Sequence, residues 1–223
     1  MTRAAKQAAP HPLRYLKPLL CAMIALATAL THLHAATPQA LQNILQNGDL
    51  IFVKSSESAF DKAISQATQK TQTSYTHVGI YEHGFVLEAE PTNGVVRTPL
   101  AAFLKANPHF DIKRLNAKKR ASIDLDSVLL RAKAHLGEPY DFTYIANNGA
   151  MYCSELVYEA FVDKSGAPIF HAKPMNFYAP DGSLPAYWQQ LFSKLGVDVP
   201  QGELGTNPNA LSREDFLESI PLP

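Results

Sequence analysis

A predicted β-hairpin at residues 75–91 is the feature of this sequence that most constrains its fold. Apolar and polar residues alternate over 76–81 and again over 85–90, and Glu82-His83-Gly84 separates the two runs with a turn. Alternation of this kind around a short Gly-containing turn is typical of paired antiparallel strands. Residues 75–91 therefore predict two neighbouring strands of an antiparallel sheet.

The hairpin brings one histidine close to two glutamates. We place Glu82 opposite Phe85 across the turn. His77 then faces Glu90, and Glu88 becomes its diagonal neighbour on the same face, whereas a shift by one residue would send both glutamates to the other face. A carboxylate beside an imidazole can fix its tautomer and stabilise its protonated form. The register favours Glu90, and the alternative is that both glutamates are ordinary solvent-facing strand residues.

Residues 1–35 resemble a secretory signal peptide in composition. Residues 1–18 contain four basic side chains and no acidic one, the uncharged run LLCAMIALATAL follows at 19–30, and small residues stand at Ala35 and Ala36. The apolar run is shorter than the roughly 17–25 residues of a membrane-spanning helix. We expect a periplasmic or secreted protein with no spanning segment after removal of the signal. The alternative is a buried N-terminal helix.

The remaining residues, 36–223, are expected to form a single domain. Four of the 20 basic residues lie in the leader, which leaves 16 basic against 20 acidic side chains. This mild negative charge argues against nucleic acid as a partner and against binding to an anionic membrane surface. No His/Cys spacing fits a metal site, and no glycine motif fits a nucleotide, so we expect no cofactor.

Cys153 is the single cysteine left in the expected mature chain. An unpaired cysteine in an exported protein is an intermolecular link, a buried inert thiol or a reactive thiol. Apolar residues recur at helical spacing after Ser154, and the turn-prone segment 147–149 precedes it, so Cys153 falls in the first turn of a helix. Free N–H groups and the helix dipole favour a thiolate there. Position alone leaves the inert and the reactive interpretations open.

Five motifs follow one another along the chain: GDLIF (48–52), YTHVGIY (75–81), VLEAEP (86–91), GEPYDF (137–142) and YCSELV (152–157). In this order they resemble the permuted papain-like amidases of the YaeF/YiiX type, within the wider NlpC-like cysteine peptidase superfamily. The likeness covers residues 48–163. His77 precedes Cys153, the reverse of the papain order, and this reversal marks the permutation.

The resemblance implies a role for each of four residues. Cys153 is the nucleophile, His77 the general base and Glu88 the carboxylate that orients the histidine, while the Tyr140 hydroxyl can donate to the oxyanion beside the Cys153 N–H group. The motif thus favours Glu88 where the strand register favours Glu90. Tyr152-Cys153-Ser154-Glu155 replaces the Asp-Cys-Ser-Gly of NlpC-type enzymes, which leaves the substrate preference undefined.

The pattern of elements predicts an α+β protein, and the resemblance sharpens this to a circularly permuted papain-like fold in which an antiparallel sheet packs against helices. The expected strands are 50–53, 76–81, 85–90, 95–97 and 110–115, and the expected helices are 57–69 (capped by Ser55-Ser56), 99–105, 124–136 and 153–163.

From about residue 166 the many prolines predict an irregular C-terminal extension over the same domain. A short helix is expected at 186–195, and Ser212–Asp215 resembles the capping box of a final short helix that reaches Ser219. Four aromatic residues of this extension are candidates for an acyl or peptide groove, with ordinary core packing as the alternative. They are Phe177, Tyr178, Tyr187 and Trp188.

These observations together predict an exported cysteine hydrolase that cleaves amide or ester bonds through a thioester. The expected substrate is a cell-envelope peptide, an acyl amide or a lipid. A second hypothesis keeps the fold without catalysis, as a ligand- or lipid-binding module. A third treats Cys153 as a redox or intermolecular thiol that has no base partner.

Overall fold

A computed structural model of the chain describes residues 38–223, so the predicted signal peptide lies outside the described residues. The strands are β1 Leu50–Lys54, β2 Tyr75–Glu82, β3 Phe85–Glu90, β4 Gly94–Pro99, β5 Phe110–Leu115, β6 Lys173–Pro174, β7 Leu204–Gly205 and β8 Leu217–Ile220. The helices are α1 Pro38–Gln42, α2 Ala59–Thr68, α3 Leu100–Ala106, α4 Ala117–Arg120, α5 Leu125–Ala134, α6 Cys153–Ala160, α7 Ala186–Leu195 and α8 Pro208–Leu211. In this part of the chain no helix combines the length and apolarity needed to cross a membrane.

Six of the strands form one antiparallel sheet in the order β4-β3-β2-β1-β5-β8, and β6 pairs with β7 separately. Both faces of the sheet are covered. Leu50 and Phe52 of β1 belong to the apolar cluster that includes α5, α6 and α7, whereas Ile51 and Val53 belong to the cluster with α1 and α3. A strand buried on both faces explains the uninterrupted apolar run of β1. The predicted α+β architecture is confirmed.

The predicted hairpin register is confirmed, because Glu82 pairs with Phe85 and the ladder continues to Ile80 and Leu87. The ladder between β2 and β3 ends at that last pair. On its other side, β2 carries a bulge against β1: His77 pairs with Val53 but Tyr75 pairs with Lys54, so Thr76 is an extra residue. Bulges bend a strand and redirect its side chains, often beside active sites.

Helix α6 begins at Cys153 and packs against β2, β3 and α5. Glu155 in its first turn is buried, and a carboxyl oxygen accepts a hydrogen bond from the Tyr152 N–H group at 3.3 Å. This bond satisfies one free donor at the helix start. Cys153 therefore lies at the start of a helix that packs against β2 and β3.

Two predictions about helices are wrong. Residues 217–220 form strand β8, which pairs with β5, instead of a helix to Ser219. This pairing covers the backbone of β5, which would otherwise be the sheet edge. Helix α2 is capped by Ser58, whose hydroxyl accepts from the Asp61 N–H group at 3.0 Å, and not by Ser55-Ser56. The helix predicted at 186–195 is confirmed as α7.

Candidate active site

His77 of β2 contacts Glu88 of β3. Its Nε2 atom lies 2.7 Å from Oε2 of Glu88, and the two side chains are only 17% and 7% exposed. Gly79 lies between them on the same strand face. A Cβ atom there would approach Cγ1 of Val86 to 2.3 Å and Cβ of Glu88 to 3.6 Å. A side chain at Gly79 would therefore collide with Val86 and lie in van der Waals contact with Glu88.

Glu90, which the register places opposite His77, forms its hydrogen bonds elsewhere. Its Oε2 atom accepts from the Thr92 N–H group at 2.9 Å, and its Oε1 atom accepts from the Asn93 N–H group at 2.6 Å. Glu90 therefore holds the turn between β3 and β4. Of the two glutamates that the sequence left open, the structure brings Glu88 to the histidine.

Cys153 is the first residue of α6 and is 4% exposed. The N–H groups of a first helical turn have no intrahelical acceptor, so those of Cys153 and Ser154 are suited to bind a developing oxyanion. The Nε2 atom of His77 is engaged by Glu88, which leaves Nδ1 as the ring nitrogen for the thiol. The ring of Phe103 from α3 also packs beside the imidazole, with 6.1 Å between ring centroids.

The protonation state of His77 depends on both neighbours. Burial by itself lowers the pKa of His77, since it disfavours a charged ring, but hydrogen bonds to Cys153 and Glu88 outweigh it and raise the pKa to about 10. The ring therefore keeps its second proton at neutral pH. A protonated imidazole next to a sulfur is the partner that a thiolate nucleophile requires.

Tyr140 lies beside the cysteine, 8% exposed, and its ring packs against Phe142 at 4.8 Å between centroids. Burial, together with the nearby Tyr144 and Cys153, raises its pKa well above 10. The hydroxyl therefore stays a donor throughout the physiological range. Hydrogen bonds between Met151 and the backbone on either side of Tyr140 tie this tyrosine to the residues just before α6.

A loop between Tyr140 and α6 completes this side of the site. Buried Asp141 fastens it, accepting from the Thr143 N–H group at 2.7 Å and the Ile145 N–H group at 2.9 Å. Tyr144 has a φ angle of 56°, in the left-handed region, yet its ring is buried. Strained non-glycine residues cluster at functional sites. Sequence reasoning missed Tyr144, because nothing local indicated a left-handed tyrosine.

Two spaces of unequal size flank Cys153 and His77. The first, which we call the slot, has a volume of about 50 Å³ and is lined by Cys153, Ser154 and the aromatic residues Phe177 and Trp188. The second, which we call the cleft, has a volume of about 590 Å³ and is lined by His77, Glu88, Glu90, Asp61 and Arg97, among others. Tyr140 and Thr76 line both. Tyr178 and Tyr187, the other two groove candidates, line neither.

The sequence matches the model of the family described as permuted papain-like amidase enzyme, YaeF/YiiX, C92 family, over residues 44–221. The chain belongs to this family. It is 28% identical over 171 residues to the uncharacterized protein YiiX of Escherichia coli strain K12, an alignment that covers 74% of this chain and 81% of that protein. The fold and the resemblance inferred from the sequence are both confirmed.

The comparison with solved structures gives the same family. The crystal structure of metalloprotein yiiX from Escherichia coli O157:H7 superimposes with a TM-score of 0.62 at 25% identity, covering 80% of this chain and 97% of that one. Within residues 38–223 of the present chain, no three His, Cys, Asp or Glu side chains lie close enough to hold a metal ion.

Proposed function

We propose that this permuted papain-like amidase is an exported cysteine hydrolase that cleaves amide or ester bonds through an acyl-thioester. Membership of the family supports a cysteine amidase or peptidase. The observation that carries the specific proposal is the 2.7 Å contact between Nε2 of His77 and Oε2 of Glu88, together with a His77 pKa that Cys153 and Glu88 raise to about 10. Export rests on the leader-like composition of residues 1–35.

In the first half of the reaction the Cys153 thiolate attacks the carbonyl carbon of the substrate. A C–S bond forms, and the carbonyl electron pair moves onto oxygen, where the Cys153 N–H group and the Tyr140 hydroxyl are the candidate donors. When this electron pair re-forms the carbonyl bond, the bond from the carbonyl carbon to the leaving nitrogen or oxygen breaks. The His77 imidazolium gives its proton to the leaving group.

In the second half water hydrolyses the thioester. Neutral His77 takes a proton from the water as its oxygen attacks the thioester carbon, and the C–S bond then breaks. The acid product leaves, and the thiolate and imidazolium are restored. Glu88 takes no proton in this scheme; it holds Nε2 of His77 so that Nδ1 faces the sulfur, and it stabilises the positive ring.

The substrate class that we propose is a cell-envelope peptide, an acyl amide or a lipid. The decisive experiment screens these three classes for products with the purified mature chain beside Cys153→Ala and His77→Ala. We expect hydrolysis of at least one class by the unaltered protein and none by Cys153→Ala. Hydrolysis that persists in Cys153→Ala would exclude Cys153 as the nucleophile. A ligand that binds without being hydrolysed would favour the hypothesis of a catalytically silent binding module. A dimer that reductant dissociates would favour the hypothesis that Cys153 is a redox or intermolecular thiol.

A further inference from the structure

The slot contains three buried hydroxyl groups with unsatisfied hydrogen-bonding capacity. Among residues 38–223, the side-chain oxygens of Tyr144, Ser154 and Thr206 make no hydrogen bond of good geometry. Tyr144 interacts weakly with the Tyr140 hydroxyl and Thr206 with the Tyr152 hydroxyl, whereas Ser154 has no such neighbour. The three residues are 8%, 1% and 6% exposed, and all of them line the slot. A buried hydroxyl without a partner is unfavourable, because it loses its hydration and gains no hydrogen bond in return. Three such groups converging on one space indicate an occupant that hydrogen-bonds to them.

The remaining walls of the slot limit the chemistry of that occupant. No acidic, basic or histidine side chain lines the slot, and most of the wall is apolar. The apolar residues are Ile64, Ala67, Met175, Phe177, Trp188 and Pro208. A charged group placed there would lose its hydration without gaining a counter-charge. The occupant is therefore neutral.

The volume of the slot limits the size of the occupant. Its volume is about 50 Å³, against about 590 Å³ for the cleft, so the slot suits a short group. Trp188 is fixed in the wall by a hydrogen bond from its indole N–H group to the Ala63 carbonyl at 3.3 Å. A long acyl chain does not fit unless this wall moves.

The position of His77 decides which half of a substrate enters the slot. His77 must reach the leaving group in order to protonate it, and His77 lines the cleft but not the slot. The leaving group therefore belongs in the cleft, whose Asp61 and Arg97 suit a larger and polar moiety. The acyl half then lies on the other side of Cys153, in the slot.

We propose that the slot is the acyl-binding site and takes a short, neutral acyl group that carries a hydroxyl or similar neutral polar substituent. This inference rests on the proposed function, since it assigns the halves of a substrate of the same cysteine. The polar substituent hydrogen-bonds to Thr206, which lies far from α6 in sequence. It also hydrogen-bonds to Ser154, the residue directly after the nucleophile. A hydroxylated acyl group satisfies hydroxyls that a plain hydrocarbon leaves unpaired.

The test compares nitrophenyl esters of acetic, hydroxyacetic, butanoic, octanoic and succinic acids. We expect the unaltered protein to hydrolyse the short neutral esters and to discriminate against the octanoyl and the anionic succinyl ester. In Thr206→Val the ratio of kcat/KM for hydroxyacetyl over acetyl ester should fall about tenfold, while Thr206→Ser restores it. Thr73→Val, an exposed threonine before β2, is the matched control and should leave the ratio unchanged.

A second measurement needs no turnover. Hydroxyacetamide should protect Cys153 from alkylation by iodoacetamide, octanamide should not, and the protection should be lost in Thr206→Val. If Cys153→Ala kills hydrolysis but neither the ester ratio nor the protection responds to Thr206→Val, the slot inference is wrong and the proposed function stands. If Cys153→Ala retains hydrolysis, the proposed function fails, and protection in the unaltered protein alone decides whether the slot binds short neutral amides.

Discussion

Nε2 of His77 lies 2.7 Å from Oε2 of Glu88, although the strand register points the histidine at Glu90. Two local features explain this. The ladder between β2 and β3 stops at Ile80 and Leu87 before it reaches His77, and Gly79 carries no side chain on the face that His77 and Glu88 share. Glu90 is meanwhile occupied by the backbone of the following turn. The contact between His77 and Glu88 is therefore diagonal.

Glu88→Gln should impair catalysis far more than Glu90→Gln. The amide keeps the shape of the side chain but loses the charge that helps to raise the pKa of His77. We expect kcat/KM to fall roughly 10²–10⁴-fold and the alkaline limb of its pH profile to move to lower pH. Glu90→Gln is the matched control and should change kcat/KM less than about threefold. Equal losses in both variants would contradict the orienting role of Glu88.

The hairpin shows which features of the site can be predicted from the sequence and which cannot. Its register follows from the alternation of residues and the turn at Glu82–Gly84, both of which are local. The choice between Glu88 and Glu90 is not local, because it depends on where the ladder ends and on a glycine on the facing strand. Resemblance to a family supplied the answer that the register alone could not.

Other features escaped prediction because they depend on distant segments. Leu217 and Ile220 are spaced by three residues, as in a helix, yet they pair with β5, about a hundred residues earlier in the chain. The three buried hydroxyls of the slot come from the loop before α6, from α6 itself and from the segment after β7. No local pattern marks such a convergence. Helix α6, by contrast, was predictable from its own periodicity.

Tyr140→Phe should lower the rate of the chemical step without unfolding the protein. The substitution removes a hydroxyl that stays protonated because burial and neighbours raise its pKa, and it leaves the packing against Phe142 in place. Loss of one oxyanion donor reduces kcat by about 10²–10³-fold, with KM nearly constant. The control is Tyr158→Phe, a partly exposed tyrosine of α6. An unchanged kcat in Tyr140→Phe would remove the hydroxyl from the mechanism.

Gly79→Ala should destabilise the protein and weaken the contact between His77 and Glu88. The new methyl group would lie 2.3 Å from Cγ1 of Val86, and forced overpacking costs about 1–3 kcal/mol. Because the collision is with one side chain, the double variant Gly79→Ala/Val86→Ala should lose less free energy of unfolding than the two single variants sum to. Urea unfolding of all four proteins measures this coupling. If the losses of free energy of unfolding in the two single variants add up to that of the double variant, the collision with Val86 is not the cause of the destabilisation.

Glu155→Gln should make the protein more resistant to alkaline pH. Burial, helped by the charges of nearby acidic residues and only partly opposed by the hydrogen bond from the Tyr152 N–H group, raises the pKa of Glu155 to about 8. An unfolded glutamate has a pKa near its ordinary value of 4.5. The folded state therefore holds this proton more tightly, and its contribution to stability is complete below about pH 4.5 and is lost as the pH rises through about 8.

Glutamine mimics the protonated acid and can still accept from Tyr152, so the variant escapes that loss. We expect the two proteins to unfold at similar temperatures near pH 4.5 and the variant to gain on the order of 2 kcal/mol by pH 9, or about 5 °C in Tm. His77 also loses stabilising charge as the pH rises through about 10, but it is present in both proteins and cancels in the difference. Glu218→Gln, at an exposed site of β8, is the control. A constant difference in Tm across this pH range would show that Glu155 is ionised in the folded protein.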